Sequence, residues 1–125
     1  MSVKIAIVDD EIIALKLFEI SFKKEVRSGE ICLYTFNTAE KLFAFLKEEG
    51  DEVVFILSDI NMPVIDGFEV LKHVKKNYPH IKVGMESAYA QQEFVEKANS
   101  LGAEMYLTKP IDFQAVKRIL EPFYK

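Results

Sequence analysis

A chain of 125 residues, 50% apolar and 12% aromatic, suffices for one domain with a proper core and leaves no room for a second. Its 16 basic against 20 acidic residues give a net charge of −4 without any Lys/Arg block, which argues against nucleic acid held by bulk electrostatics. No signal peptide opens the sequence and no apolar run approaches the roughly 20 residues of a membrane span, so the expectation is a cytoplasmic protein with no membrane partner.

Val3 to Val8 reads as the first strand, and it ends abruptly in Asp9-Asp10-Glu11. The helix after it, expected over Ile12 to Val26, carries Lys16, Glu19 and Lys23 as a narrow polar stripe while most of the rest is apolar. A face that wide is either packed on a sheet or left for docking. Ile31 to Phe36 is the second strand; its Cys32, the only cysteine, reads as a small core residue rather than a nucleophile. Asn37-Thr38 offers N-cap side chains to a helix with Ala39, Leu42, Phe43 and Leu46 at helical spacing, which stops at Gly50. Val53-Val54-Phe55-Ile56-Leu57 is a continuous apolar run, the mark of a strand buried on both faces, and Asp59 stands where that strand surfaces. Met62-Pro63 and Asp66-Gly67 then force a turn into a helix over Phe68 to Tyr78. Ile81 to Ser87 is the fourth strand, followed by a helix from about Gln91 to Leu101 that stops at Gly102. Ala103 to Leu107 is the fifth, leading through Thr108-Lys109-Pro110 to a last helix with Phe113, Val116 and Leu120.

Five such βα units predict a mostly parallel sheet, and right-handed crossovers would place every strand's carboxyl end on one edge. Asp9, Asp10, Asp59, Ser87 and Lys109 then converge. Three carboxylates brought together repel strongly, so the cluster calls for a cation or protons, and oxygen-only ligation suits Mg²⁺ rather than zinc. His73 and His80 belong to the third helix and the turn after it and are read as surface residues. Singly, each member has a plain structural reading: Asp10 as a helix cap, Asp59 as a turn residue, Ser87 as a cap, Lys109 as a solvated charge. Their coincidence at four strand ends is what favours function.

Taken together, Asp9-Asp10, Asp59, the Asn61-Met62-Pro63 and Asp66-Gly67 turn, Ser87-Ala88, Tyr106 and Lys109-Pro110 resemble the receiver domain of two-component response regulators over the whole chain. The resemblance implies a flavodoxin-like, doubly wound, five-stranded parallel sheet of order 2-1-3-4-5 with five helices. It implies a stand-alone receiver over residues 1–125 with no output domain, of the chemotaxis or phosphorelay type. Asp59 would be the phosphoacceptor, with Mg²⁺ held by Asp10, Asp59 and the backbone carbonyl of Asn61, and Asp9 acting through a metal-bound water. Lys109 and Ser87 would contact the phosphoryl oxygens, and Ser87 with Tyr106 would form the switch. The surface of the fourth helix, fifth strand and fifth helix would signal onward, and the Lys109-Pro110 bond would be cis. The implied partners are a histidine kinase or histidine phosphotransfer protein and an unidentified downstream protein, with the chain a monomer or a phosphorylation-dependent dimer. It would be no enzyme beyond its own aspartyl phosphorylation and dephosphorylation.

Glu86 departs from the family pattern, which is apolar before the hydroxyl residue: pointing into the sheet or toward the site it must pair with a cation such as Lys109 or carry a raised pKa, and pointing to solvent near the signalling surface, the favoured expectation, it alters which partner docks. Asn61 and Tyr89 occupy places that tune phosphoryl lifetime, and the Tyr89 ring is expected to shield the phosphate. Two other classes compete. A haloacid-dehalogenase-type phosphatase needs a second Asp where Asn61 stands, and a receiver-like binding module would take no phosphoryl group at all. Flavodoxin itself is disfavoured because no Gly/Ser/Thr-rich phosphate loop follows the first strand.

Overall fold

The computed structural model describes residues 2–124. Strands β1 (Val3–Val8), β2 (Ile31–Phe36), β3 (Val53–Asp59), β4 (Lys82–Ser87) and β5 (Met105–Thr108) form one parallel sheet of order β2-β1-β3-β4-β5, as expected. The helices are α1 (Ile12–Ser21), α2 (Lys23–Arg27), α3 (Ala39–Glu49), α4 (Gly67–Asn77), α5 (Gln92–Ser100) and α6 (Phe113–Tyr124), with a 3₁₀ turn over Gly50–Glu52. Among the described residues no helix is long and apolar enough to cross a membrane.

Alternation along the central strands fills a core on each side of the sheet. Ile5, Ile7, Phe55 and Leu57 meet Leu15, Phe18, Val116 and Leu120 from α1 and α6. Ala6, Val8 and Ile56 face the other way, against Leu42, Leu46, Leu71, Val74 and Ala98 from α3, α4 and α5. Each fully buried side chain of this size contributes about 1.5–3 kcal/mol, so these two layers hold the strand ends that carry the acidic residues.

Six helices appear instead of five because the helix expected over Ile12 to Val26 breaks at Phe22. Phe22 leaves helical geometry (φ −99°, ψ 8°) while its ring is buried and stacked on Phe18 with centroids 6.4 Å apart. Its N–H still donates to the Phe18 carbonyl and its carbonyl accepts from Val26, so the chain is re-aimed rather than reversed. Cys32 is half-buried because β2 is an edge strand. His80 is exposed, and His73 is half-buried, its ring stacked on Phe43 at 4.0 Å. Thr38 caps α3 as expected, accepting the Lys41 N–H at 3.2 Å.

Gly67 ties the fold to the strand end that matters most. A Cβ there would lie 2.4 Å from the Asp59 carbonyl oxygen and 2.7 Å from Ile60 Cα, both backbone atoms with little room to move. Gly67→Ala is therefore expected to cost about 1–3 kcal/mol and to displace the loop after β3. A urea midpoint unchanged from the parent would contradict this.

Candidate functional site

Every strand end named from the sequence reaches the same edge. Asp9 and Asp10 follow β1, Asp59 and Ser87 close β3 and β4, and Lys109 follows β5. One carboxylate oxygen from each of Asp9, Asp10 and Asp59 lies within 4.8 Å of the others, with Asp9 and Asp59 buried and Asp10 exposed. The Glu11 N–H donates to Asp9 Oδ1 at 2.9 Å and the Asn61 N–H to Asp59 Oδ1 at 3.3 Å, which fixes both carboxylates from the backbone. Asp10 does not cap α1. Glu11 stands at that N-cap and no side chain satisfies it, so Asp10 remains available.

Lys109 Nζ lies 3.2 Å from Asp9 Oδ2, 3.2 Å from Glu11 Oε1 and 3.6 Å from Asp59 Oδ1. Glu11 was not singled out from the sequence. The only signal was its place as third in the acidic run that ends β1, because its partner lies 98 residues away. Burial opposes the charge on Lys109 but is outweighed by Asp9 and Asp59, so its pKa moves up and it stays cationic. Asp59 moves the unusual way for a carboxylate: burial, then the Asp9 charge, push it up to about 7 against the pull of Lys109. One lysine does not neutralise this cluster. Three hard oxygen donors converging at such spacing, two of them buried, fit an oxygen-coordinated divalent cation such as Mg²⁺.

The Ser87 hydroxyl oxygen accepts from the Tyr89 N–H at 3.1 Å and the Asn61 amide at 3.3 Å, leaving its own hydrogen free to donate. The Tyr106 hydroxyl donates to the Tyr89 carbonyl at 2.6 Å. Ser87 and Tyr106 are thus joined through the backbone of Tyr89, a linkage invisible in the sequence. Tyr106 itself is half-buried, and the Tyr89 ring is 49% exposed and tilted against Phe94. In the loop after Asp59, the exposed Val64 holds a left-handed φ of 69°, a strained setting for a β-branched residue. Asp66 closes the loop by capping α4, accepting the Glu69 N–H at 3.0 Å. The Lys109-Pro110 peptide is cis, as the resemblance implies.

Glu86 overturns its expectation, for it is fully buried and not solvent-facing. It sits opposite Asp59 on β3 and Leu107 on β5, and it borders an apolar cleft with Leu17, Phe18, Lys109 and Phe113. The physical reason is that both faces of this sheet are covered, so neither side of β4 offers solvent at this depth. Neither Glu86 oxygen has a hydrogen-bond partner as an ionised group, whereas the protonated acid has the neighbouring Asp9 carboxylate to donate to. Burial first, then that Asp9 interaction, push Glu86 up to about 9, so it is neutral at physiological pH.

Comparison with known proteins agrees with this geometry. The profile of the response regulator receiver domain matches residues 5–121. A two-component response regulator of Arabidopsis thaliana, ARR12, is 30% identical over 119 residues, covering 95% of this chain and 19% of that protein. Sporulation initiation phosphotransferase F of Bacillus subtilis (strain 168) is 29% identical over 123 residues, covering 98% of this chain and 94% of that protein. The chain thus spans about a fifth of the plant protein and nearly all of the bacterial one. Among solved structures, the BeF3-activated DrrB receiver domain superposes with a TM-score of 0.85 at 26% identity, covering 98% of this chain and 97% of that one.

Proposed function

The chain belongs to the response regulator receiver family, and on that premise we propose that it is switched by Mg²⁺-dependent, transient phosphorylation of Asp59. The observation that carries this is Asp59 itself: buried at the end of β3, fixed by the Asn61 amide, with two further carboxylates and Lys109 around it. An Asp59 carboxylate oxygen forms a bond to phosphorus while the bond to the donor breaks. That bond is P–N in a phosphohistidine and P–O in a small acyl phosphate, and its electron pair leaves with the donor. Asp10, Asp59 and the Asn61 carbonyl would hold Mg²⁺, with Asp9 behind a bound water, and the ion would supply positive charge against the phosphoryl oxygens. Lys109 is anchored by Asp9 and Glu11 within reach of Asp59, so its ammonium is placed to meet a phosphoryl oxygen. Ser87 gives its free hydroxyl hydrogen to another, and movement of Ser87 pulls on Tyr89 and through it on Tyr106. That couples phosphorylation to the surface of α5, β5 and α6.

The phosphodonor class that fits is a histidine kinase or histidine phosphotransfer protein, and the near-complete coverage of the Bacillus subtilis phosphotransferase supports a phosphorelay role. A receiver-like module that takes no phosphoryl group is the second reading, favoured by Glu86, a buried acid beside Asp9. Intact mass after incubation with acetyl phosphate separates the two. A gain of one phosphoryl group with Mg²⁺ present, absent under chelator, is the expected result; no gain under either condition selects the second reading.

A further inference from the structure

Helix α1 (Ile12–Ser21) is preceded by acidic residues and followed by basic ones on α2, and exposed aliphatic side chains line the helix between them. Ile13, Leu17 and Ile20 recur at i, i+4 and i+7 and are 75%, 47% and 69% exposed, so one stripe of the helix is apolar and uncovered. Asp10 and Glu11 stand at its amino end, and Lys23, Lys24 and Arg27 lie beyond its carboxyl end, all of them exposed. Lys16 and Glu19, also exposed, lie one turn apart beside the stripe.

We infer that α1 pairs with α1 of a second copy of this chain, antiparallel, with Leu17 near the two-fold axis. About that centre Ile13 meets Ile20 of the second copy, Lys16 meets Glu19, and the acidic end of one helix meets the basic end of the other. A parallel pair would set Asp10 and Glu11 against their own copies and Lys23 and Lys24 against theirs. Charge therefore fixes the orientation, while the aliphatic stripe supplies the attraction. A standard interface takes about 800 Å² from each partner, more than three aliphatic side chains and their flanking stems provide. The dimer is accordingly weak, with Kd of roughly tens to hundreds of micromolar. It requires no phosphorylation, and because it covers the helix next to Asp10, it excludes any phosphodonor that approaches over α1. This inference goes beyond the receiver reading and stands or falls separately from acyl-phosphate labelling of Asp59.

Sedimentation velocity on unphosphorylated protein, from about 10 µM to about 1 mM, tests it. The weight-average sedimentation coefficient is expected to rise with concentration and to rise less at high salt, since the paired charges are exposed. Ile20→Glu is expected to hold the protein monomeric throughout, and its exposed position leaves folding intact. Lys16→Glu weakens the dimer at least several-fold, and adding Glu19→Lys restores it. A parent monomeric up to about 1 mM overturns the inference and leaves the stripe to a different protein. So does an Ile20→Glu protein that associates like the parent, or a double charge exchange no stronger than Lys16→Glu alone.

Discussion

Asp59→Asn is expected to abolish phosphoryl transfer and, in metal-free protein, to raise stability at the same time. The amide keeps the shape of the side chain and can still accept the Asn61 N–H, but it has no anionic oxygen to bond phosphorus. Its neighbours do not replace it. Asp9 is fully buried and paired with Lys109, and Asp10 is exposed on the far side of the strand end from β4, away from the Ser87 hydroxyl. No mass gain from acetyl phosphate is the expected result. The stability gain follows from the carboxyl being held at about 7 in the folded chain against an ordinary value of 3.8. Between those values the folded protein keeps a proton that the unfolded chain has released, so stability falls as pH rises through that window and stays reduced above it. Asn carries no such penalty. Urea midpoints in chelator should therefore coincide below about pH 4 and separate in favour of Asp59→Asn by about 1–3 kcal/mol at pH 8, discounted for residual solvent screening. With Mg²⁺ added the parent should recover part of that difference on the proposed function, because a cation held by the cluster would bind its charged, folded form and not the unfolded chain. A variant less stable than the parent at pH 8 in chelator would mean that the Asp59 carboxylate is well solvated and that crowding does not shape this site.

The strands were legible because each is a short, mostly apolar segment between turn signals, and β3, buried on both faces, carries an unbroken apolar run in Val53–Leu57. The acidic cluster was legible for a topological reason: parallel units place all strand ends on one edge, so residues far apart in sequence could be assembled without knowing any distance. Phe22 was not legible as a break. Phe18 and Phe22 are one helical turn apart and both belong in the core, so their spacing fits an unbroken helix, and the departure lies only in the backbone angles of one residue. Glu11 is not legible as a site residue because its role rests on a pairing with Lys109 that closes only in three dimensions. Glu86 differs, since the sequence leaves two orientations for a carboxylate in a largely apolar strand, and the favoured solvent-facing one is overturned by its burial while the raised pKa of the other is met. With helices on both sides of β4 there was no solvent-facing side to assign it to.

Glu86→Met should therefore stabilise the protein, most of all in alkali. The carboxyl lies among Asp9, Asp59 and Lys109, and both its oxygens are sealed from water. Its folded value of about 9 stands above the ordinary 4.5, so the folded protein binds a proton that the unfolded chain lacks over that whole interval. Stability conferred by holding the proton is complete below about pH 4.5 and is lost as pH climbs toward 9, at up to about 1.4 kcal/mol per pH unit as an upper bound. Methionine has similar length, can pack on Leu17, Phe18 and Phe113 of the adjoining cleft, and removes both the titration and the buried polar group. The expected gain is about 1–4 kcal/mol at pH 8, shrinking toward pH 5, where the parent is protected by its proton. Glu86→Gln separates the two contributions, because it abolishes the titration but keeps a polar group at the same buried position. Its urea midpoint should lose the Glu86 part of the pH slope, and its amide can still donate to the Asp9 carboxylate, so its difference from the methionine variant at pH 8 reads that one hydrogen bond against the buried polar group. If both variants keep the parent's slope between pH 5 and pH 9, Glu86 is not the titrating group. If they lose it, this receiver carries a fourth carboxyl beside its acidic cluster that adds no charge to the site at physiological pH, because burial and Asp9 together keep it protonated.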